Sequence, residues 1–464
     1  MFANRTSHRP PNRRRKRIRT ASLAIALVVG ATACNAAADT DAADATTATN
    51  IAAESVAFTD GDTSSADDAD SASGNVALWN SGVIHDIEIE FDQDAYDEMI
   101  VTYETTTEKD WISVTVTIDG VTYENAGLRL KGNSSLRTVS TETAQNPEDL
   151  HWLIRLDKYE DDQNHQGYND IVIRSNSTET ALNEAVAVEL LAEAGLATQE
   201  AIATTLTFNG GETELRLAMQ HPDQIWEDEN FDSETSALYK AESTGDYSYR
   251  GDDPDSYIDV FDQEAGDDDL EPLIDFLDFI NNTDDATFVS ELADRLDVES
   301  FATYLAFQDL IDNFDDIDGP GNNSYLHYDY DTGIFTVVNW DLNLAFGTAN
   351  AADGEGGPGV PGGAFPGGEP PAGGPAGGPG AAPGGAAGGP SFGNNVLVER
   401  FMANDEFSQL YDAAVVELTE TLFADGTAQA IIDTWVDVLA TQDIVDTATI
   451  ESDANAVLQS IQST

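Results

Sequence analysis

Two hydrophobic rhythms follow one another along this chain, and their order constrains the fold more than any other feature. Ile87, Ile89 and Phe91, and then Ile112, Val114, Val116 and Ile118, occupy alternate positions, the period of a half-buried strand. Asp119-Gly120 then signals a hairpin turn, with a return strand running to Leu130. Further strands are expected over 152–156 and 170–174, and a second hairpin pairs 202–208 with 214–219 across Asn209-Gly210-Gly211. Helical spacing appears briefly over 94–101. It returns over 178–194, where Leu182, Val186 and Leu190 recur every fourth residue and Gly195 supplies the stop. From 269 to 313, and again over 396–461, helical spacing dominates. Strands first and helices later, without regular βαβ alternation, indicate an α+β fold.

Two tracts cannot contribute to a core. Residues 35–75 are mostly Ala, Thr, Asp and Ser, which reads as a disordered acidic tether. Residues 348–393 are largely Gly, Pro and Ala, which reads as a disordered insertion within a domain spanning 76–464. Residues 1–34 have the form of an export signal: the basic run Arg13-Arg14-Arg15-Lys16-Arg17, a short apolar stretch, then small residues before Cys34. This resembles a bacterial lipoprotein signal, with Cys34 lipidated and the chain anchored to a membrane through it. Ala31 stands where Leu is usual, and ordinary secretion is the alternative. The single cysteine rules out an intrachain disulfide and a zinc-thiolate site.

Charge narrows the partners. Acidic residues number 86 against 20 basic, and eight of the basic ones fall in the first 20 positions. From Cys34 onward only 12 cations face all 86 acids, which excludes nucleic acid as a partner because phosphate backbones need Lys and Arg. Five of those 12 lie close together: Arg129, Lys131, Arg137, Arg155 and Lys158. Arg129 and Lys131 share one face of a strand that ends in a Gly turn, an arrangement suited to gripping phosphate or, equally, to pairing with the surplus acids. Lys240 is a further isolated cation, for phosphate or for stacking over Tyr239.

Residues 312–347 carry the other half of a candidate site. Acids and amides crowd a Gly-Pro turn, a hairpin-like segment follows, and Asp341 stands in the apolar run Trp340-Asp341-Leu342. Asp318 and Asn323 are five positions apart, the acid-to-amide spacing of a protein-kinase catalytic loop. Asp341 follows where a second metal-holding acid would stand. Without other support this is equally an acidic turn and a hairpin. Glu184 lies on the apolar side of its helix, positioned to orient a buried cation or to remain partly exposed. The histidines show no metal-ligand spacing, and no G-x-S-x-G is present.

Five segments in fixed order carry a resemblance: GLRLKGNSSL at 127–136, the run at 167–196 ending STETALNEAVAVELLAEAGL, LYK at 238–240, DGPGNNSYLHYDYDTGIF at 318–335 and NWDLNLAFG at 339–347. Together they resemble the CotH kinase family of atypical protein kinases, over roughly 83–461. The resemblance implies a divergent kinase-like fold, with a β-rich N-terminal lobe and a helical C-terminal lobe, that transfers the γ-phosphate of ATP to Ser or Thr of an envelope or extracellular protein, with Mg2+ or Mn2+. It implies Asp318 as the catalytic acid, with Asp315 or Asp316 in that role if the loop register differs, and Asn323 and Asp341 as metal ligands, with Asn343 and Asn322 as further candidates. It also implies that Arg129, Lys131 and Lys240 contact the nucleotide and that Glu184 orients a cation. The chain departs from the family pattern at three places. Glu148, Asp149 and Leu150 stand where a Lys is frequent, Asn183 where an Arg is usual, and Asn343 where a second acid often follows Asp341. A pseudokinase or a calcium-binding surface protein on the same fold is the alternative those departures leave.

Overall fold

The computed structural model describes residues 76–137, 139–348 and 395–463. The export signal, Cys34, the acidic tether and all but the first residue of the Gly/Pro-rich tract lie outside the described residues. Seven strands come first: β1 (His85–Phe91), β2 (Ile112–Ile118), β3 (Val121–Leu130), β4 (Trp152–Arg155), β5 (Asp170–Ile173), β6 (Ala201–Phe208) and β7 (Thr213–Gln220). Four more form a second sheet: β8 (Ser236–Ala241), β9 (Phe261–Ala265), β10 (Ser324–Asp329) and β11 (Ile334–Asn339). The helices are α1 (Gln93–Thr106), α2 (Leu182–Glu193), α3 (Gln224–Asn230), α4 (Glu271–Asn282), α5 (Asp285–Glu291), α6 (Val298–Leu310), α7 (Val396–Met402), α8 (Asp405–Leu418), α9 (Thr427–Leu439) and α10 (Thr447–Ser463). Helices and strands both contribute, as the α+β expectation required.

The β-rich part is a closed barrel in the order β1-β2-β3-β4-β5-β7-β6. Six of its pairings are antiparallel. The seventh joins β1 to β6 in parallel, from His85 opposite Thr204 to Ile89 opposite Phe208, and closes the ring. Alternation then assigns side chains to two sides. Ile87, Val116, Leu128, Ile154 and Ile171 fill the interior, where α1 also packs Tyr96, Met99 and Ile100. Leu153, Val172, Leu217 and Met219 face outward onto α2. Because β4 and β5 are buried on both faces, Trp152-Leu153-Ile154 and Ile171-Val172-Ile173 are continuous apolar runs rather than alternating ones.

Helix α2 lies between the barrel and the C-terminal helices α9 and α10 and is buried on nearly every side. Trp435 of α9 donates its indole N–H to Glu189 (2.8 Å), and Asp453 of α10 accepts from the Thr180 hydroxyl (2.6 Å). The helix begins at Leu182 rather than near 178, because Ala181 adopts a left-handed φ of 51°. The helical stretch expected over 269–313 is divided into α4, α5 and α6. Those helices, with α7 and α8, cover one face of the second sheet, where Tyr239, Leu326, Phe335 and Val337 meet Leu277, Tyr304 and Phe401. Among the described residues no helix is long and apolar enough to cross a membrane.

Candidate active site

The loop between α6 and β10 is tied to the end of β11 by three buried amides. Asn313 donates to Gln308 (2.8 Å), and Gln308 donates to Asn339 (2.6 Å). That link places the acids of the loop beside Asp341, two residues beyond Asn339. Asp315 is the half-buried loop acid on which the Asp341 charge acts. The Gly321 N–H donates to its Oδ1 (2.5 Å), and Asn323 donates its side-chain N–H to the Asp315 carbonyl (2.8 Å). Gly321 is required there, since a Cβ at that position would stand 2.8 Å from both Asp315 carboxylate oxygens. Burial pushes the Asp315 carboxyl up to about 6, and the charge of Asp341 adds to the rise.

Asp318, the acid indicated by spacing, has its shown contacts with another acid of the loop. Its backbone N–H meets Asp316 Oδ1 (3.2 Å), and its carboxyl acts on Asp316, Asp309 and Tyr304. Asp316 is buried and raised well above the ordinary carboxylate range, first by burial and then by Asp318. The Asp341 charge thus acts on Asp315, whose carbonyl accepts from Asn323, while the Asp318 charge acts on Asp316, Asp309 and Tyr304. Asn322, at φ 49°, tethers the turn to the second sheet by donating to the Ser243 carbonyl (3.0 Å). Asn343 is fixed through its backbone, its carbonyl accepting from Asn183 on α2 (2.7 Å).

Asp341 itself has a left-handed backbone, φ 61°, uncommon outside glycine and a mark of a locally strained site. Its Oδ1 accepts from Arg174, the residue immediately after β5. The Arg174 guanidinium is buried and also donates from Nε to Glu184 Oε2 (2.9 Å), while its Nη2 lies 2.9 Å from Glu184 Oε1. His151 Nε2 is 3.4 Å from Nη1. Burial works against the Arg174 charge, but the Asp341 and Glu184 carboxylates outweigh it and hold the guanidinium above its ordinary value. Burial pushes the Glu184 carboxyl up to about 7 against the pull of Arg174, with Asp341 adding to the rise. The cation that Glu184 orients is thus Arg174. Sequence reasoning passed over Arg174; its only signal was a lone charge closing the apolar run Ile171-Val172-Ile173.

The phosphate candidates sit where the barrel faces the second sheet. Lys131 is buried, donates to His221 Nε2 (2.9 Å) and stands 5.3 Å over the Trp340 ring, next to Asp341. Burial depresses its ammonium to about 7. Arg129 lies over the Trp111 ring at 4.9 Å, and its buried Nε has no hydrogen-bond partner. Lys240 is committed to Glu242, which also accepts from Asn133 (3.0 Å). Asn133 in turn accepts from Lys109 (3.0 Å).

Seven of the twelve cations after Cys34 have a carboxylate partner: Arg155, Arg174, Arg216, Lys240, Arg250, Arg295 and Arg400. The other five are Lys109, Arg129, Lys131, Arg137 and Lys158. Among the described residues none of these has a carboxylate within 4.0 Å. All five belong to one stretch of the barrel, in a chain with a large surplus of acids.

One further group has metal-ligand proximity: Asp170, His221 and Asp223, whose ligand atoms lie within 4.8 Å of one another. Cations already occupy its donors. Arg155 grips both Asp170 oxygens (2.8 and 2.5 Å), and Lys131 stands on His221. Two adjacent positive charges disfavour a divalent ion there. Arg174 occupies Asp341 in the same way, but the Asp341 charge also acts on Asp315, a repulsion that a divalent ion on Asp341 would relieve.

The CotH kinase protein family model matches residues 128–459, most of the chain, and the chain belongs to that family. A search of the curated proteins finds no match. The matched region runs from the end of β3 to α10 and so includes Lys131, Arg174, Glu184, Asp315, Asn323 and Asp341.

Proposed function

We propose that this protein is a kinase that transfers the γ-phosphoryl group of ATP to a Ser or Thr hydroxyl of a protein acceptor. The observation that carries the reading is the juxtaposition around Trp340. On one side Lys131, without a carboxylate partner among the described residues, stands over the Trp340 ring; on the other is Asp341, whose charge acts on Asp315, the acid whose carbonyl accepts from Asn323. Polyphosphate needs the first, and a divalent ion with an acceptor hydroxyl needs the second. In this reading the barrel serves as the nucleotide-gripping lobe, and the second sheet with α4–α8 as the lobe that carries the acids.

The roles follow from geometry. Asp341 and the Asn323 amide oxygen would hold Mg2+ or Mn2+; the Asn323 N–H is already donated to the Asp315 carbonyl, which leaves its oxygen for the ion. Bound there, the metal supplies neutralisation of charge on the transferring phosphoryl. Asp315 accepts the proton of the acceptor hydroxyl, and its raised carboxyl lies nearer neutrality than an ordinary aspartate. Lys131 and Arg129 hold phosphate oxygens, and burial beside Trp340 and Trp111 excludes water that would weaken those contacts.

Labelled ATP, Mn2+ and a generic protein acceptor test this directly. Asp315→Asn is expected to slow transfer by about 10²- to 10⁴-fold, the usual weight of a general base, and Asp341→Asn at least as much. Asp318→Asn is expected to change it little. Equal loss in Asp318→Asn would return the acid role to that residue. No transfer from the wild-type protein would overturn the kinase reading, and nucleotide-induced thermal stabilisation without transfer would make it a pseudokinase.

A further inference from the structure

Among the described residues Arg174 is the one cation that reaches the Asp341 carboxylate, and it reaches it from a buried position shared with Glu184. Its Nη2 lies against both acids, so the two carboxylates compete for one guanidinium edge. The three groups together carry one net negative charge when both acids are ionised. A divalent ion approaching Asp341 meets a carboxylate already neutralised by an arginine that cannot lose its proton.

We propose that Arg174 is a resident counter-cation that divalent metal must displace from Asp341. Metal loading is then an exchange. Arg174 releases Oδ1, remains on Glu184 through Nε, and directs the freed Nη2 toward the phosphate that arrives with the metal. Glu184 makes this possible because it keeps the guanidinium in place and paired after Asp341 is taken. Metal therefore binds weakly alone and well with nucleotide. This rests on the kinase reading for the identity of the incoming anion, and on the ion-pair geometry for the competition itself. Toward the metal Arg174 is a positioning residue: it acts through Asp341.

Two substitutions move metal affinity in opposite directions, which a merely structural ion pair would not produce. Arg174→Met frees Asp341, and Mn2+ affinity measured by electron paramagnetic resonance without nucleotide is expected to rise by about tenfold, a usual size for coupled sites. That gain is expected to vanish in Arg174→Met/Asp341→Asn. Glu184→Gln keeps the side-chain shape and leaves Arg174 to Asp341 alone. It is expected to weaken nucleotide-free Mn2+ binding and stands as the test if Arg174→Met does not fold. Unchanged or weakened Mn2+ binding in a folded Arg174→Met protein overturns the proposal, as does unchanged or tightened binding in Glu184→Gln. If the wild-type protein shows no phosphoryl transfer yet both variants behave as stated, the exchange stands and the kinase reading falls. If transfer occurs without the opposed shifts, the kinase reading stands and the exchange falls.

Discussion

The barrel stretch 109–158 and the helical C-terminal half treat positive charge in opposite ways. In the helical half each cation has an acid and a second contact. Arg295 pairs with Glu291 over the Phe279 ring, and Arg400 pairs with Asp285 over Phe288 while donating to the carbonyls of Ile280 and Thr283. In the barrel stretch Lys109, Arg129 and Lys131 are partly or wholly buried without a carboxylate partner among the described residues, and burial lowers the pKa of all three. With so many acids available, a cation stays unpaired only where the fold holds acids away from it. Burying an unpaired charge is costly, and the cost is reduced when an anion arrives. The helical half uses its cations to hold helices; the barrel stretch has three without a carboxylate partner among the described residues, which on the kinase reading suits an anionic ligand.

Arg174 sharpens that contrast, because it is a barrel cation that is fully paired. Replacing it with Met strands two acids, one fully buried, and is expected to cost about 3–5 kcal/mol in urea unfolding, as when one partner of a buried pair is removed. Arg295→Met removes an exposed pair four residues apart on the chain and is expected to cost less than about 1 kcal/mol. Equal losses at the two positions would erase the distinction between a buried hub and a surface brace.

Lys131 is expected to produce the next largest effect, and with the opposite sign. Its folded value is about 7 against an ordinary 10.5. Between those limits the unfolded chain carries the proton and the folded chain does not, so this residue makes stability rise with pH through that window. The slope is about 1.4 kcal/mol per pH unit for one proton. Below pH 7 both states are protonated and its contribution is flat. Lys131→Met should remove this slope, raise stability at neutral pH, and abolish the thermal shift produced by ATP. A Lys131→Met protein that keeps the same pH slope would show that the ammonium is not the group responsible.

Much of the fold was legible in the chain itself, and the gaps have physical causes. Alternation located β2, β3 and the β6–β7 hairpin because a strand with one buried face has a two-residue period. It could not show the barrel closing, since β1 meets β6 more than 100 residues away. Asp341 was legible as a lone acid in an apolar frame. Asp315 was legible only as an alternative to Asp318: four acids lie between 312 and 318, and spacing does not encode the turn in which the Gly321 N–H meets Asp315. The cation group was visible in part. The structure removes Arg155, which is committed to Asp170, and adds Lys109, brought in through Asn133. Arg174 was invisible because its importance lies in two partners distant along the chain, one on α2 and one after β11.

The smallest expected effect decides how far the anion-binding region extends. Lys158 is exposed and stands 4.9 Å from the centre of the Trp111 ring, the same ring that Arg129 covers. Its ammonium contributes to the local positive potential without burial, so salt screens it almost completely. Lys158→Ala should weaken binding of tripolyphosphate by about two- to fivefold in dilute buffer, the range of an exposed ion pair. The difference should disappear at 1 M salt, where the Debye length is about 3 Å. Under the same titration the loss caused by Lys131→Met should persist, because a buried contact is screened far less. A Lys158→Ala loss that survives 1 M salt would place that ammonium in direct contact with the anion and extend the ligand site across the Trp111 ring.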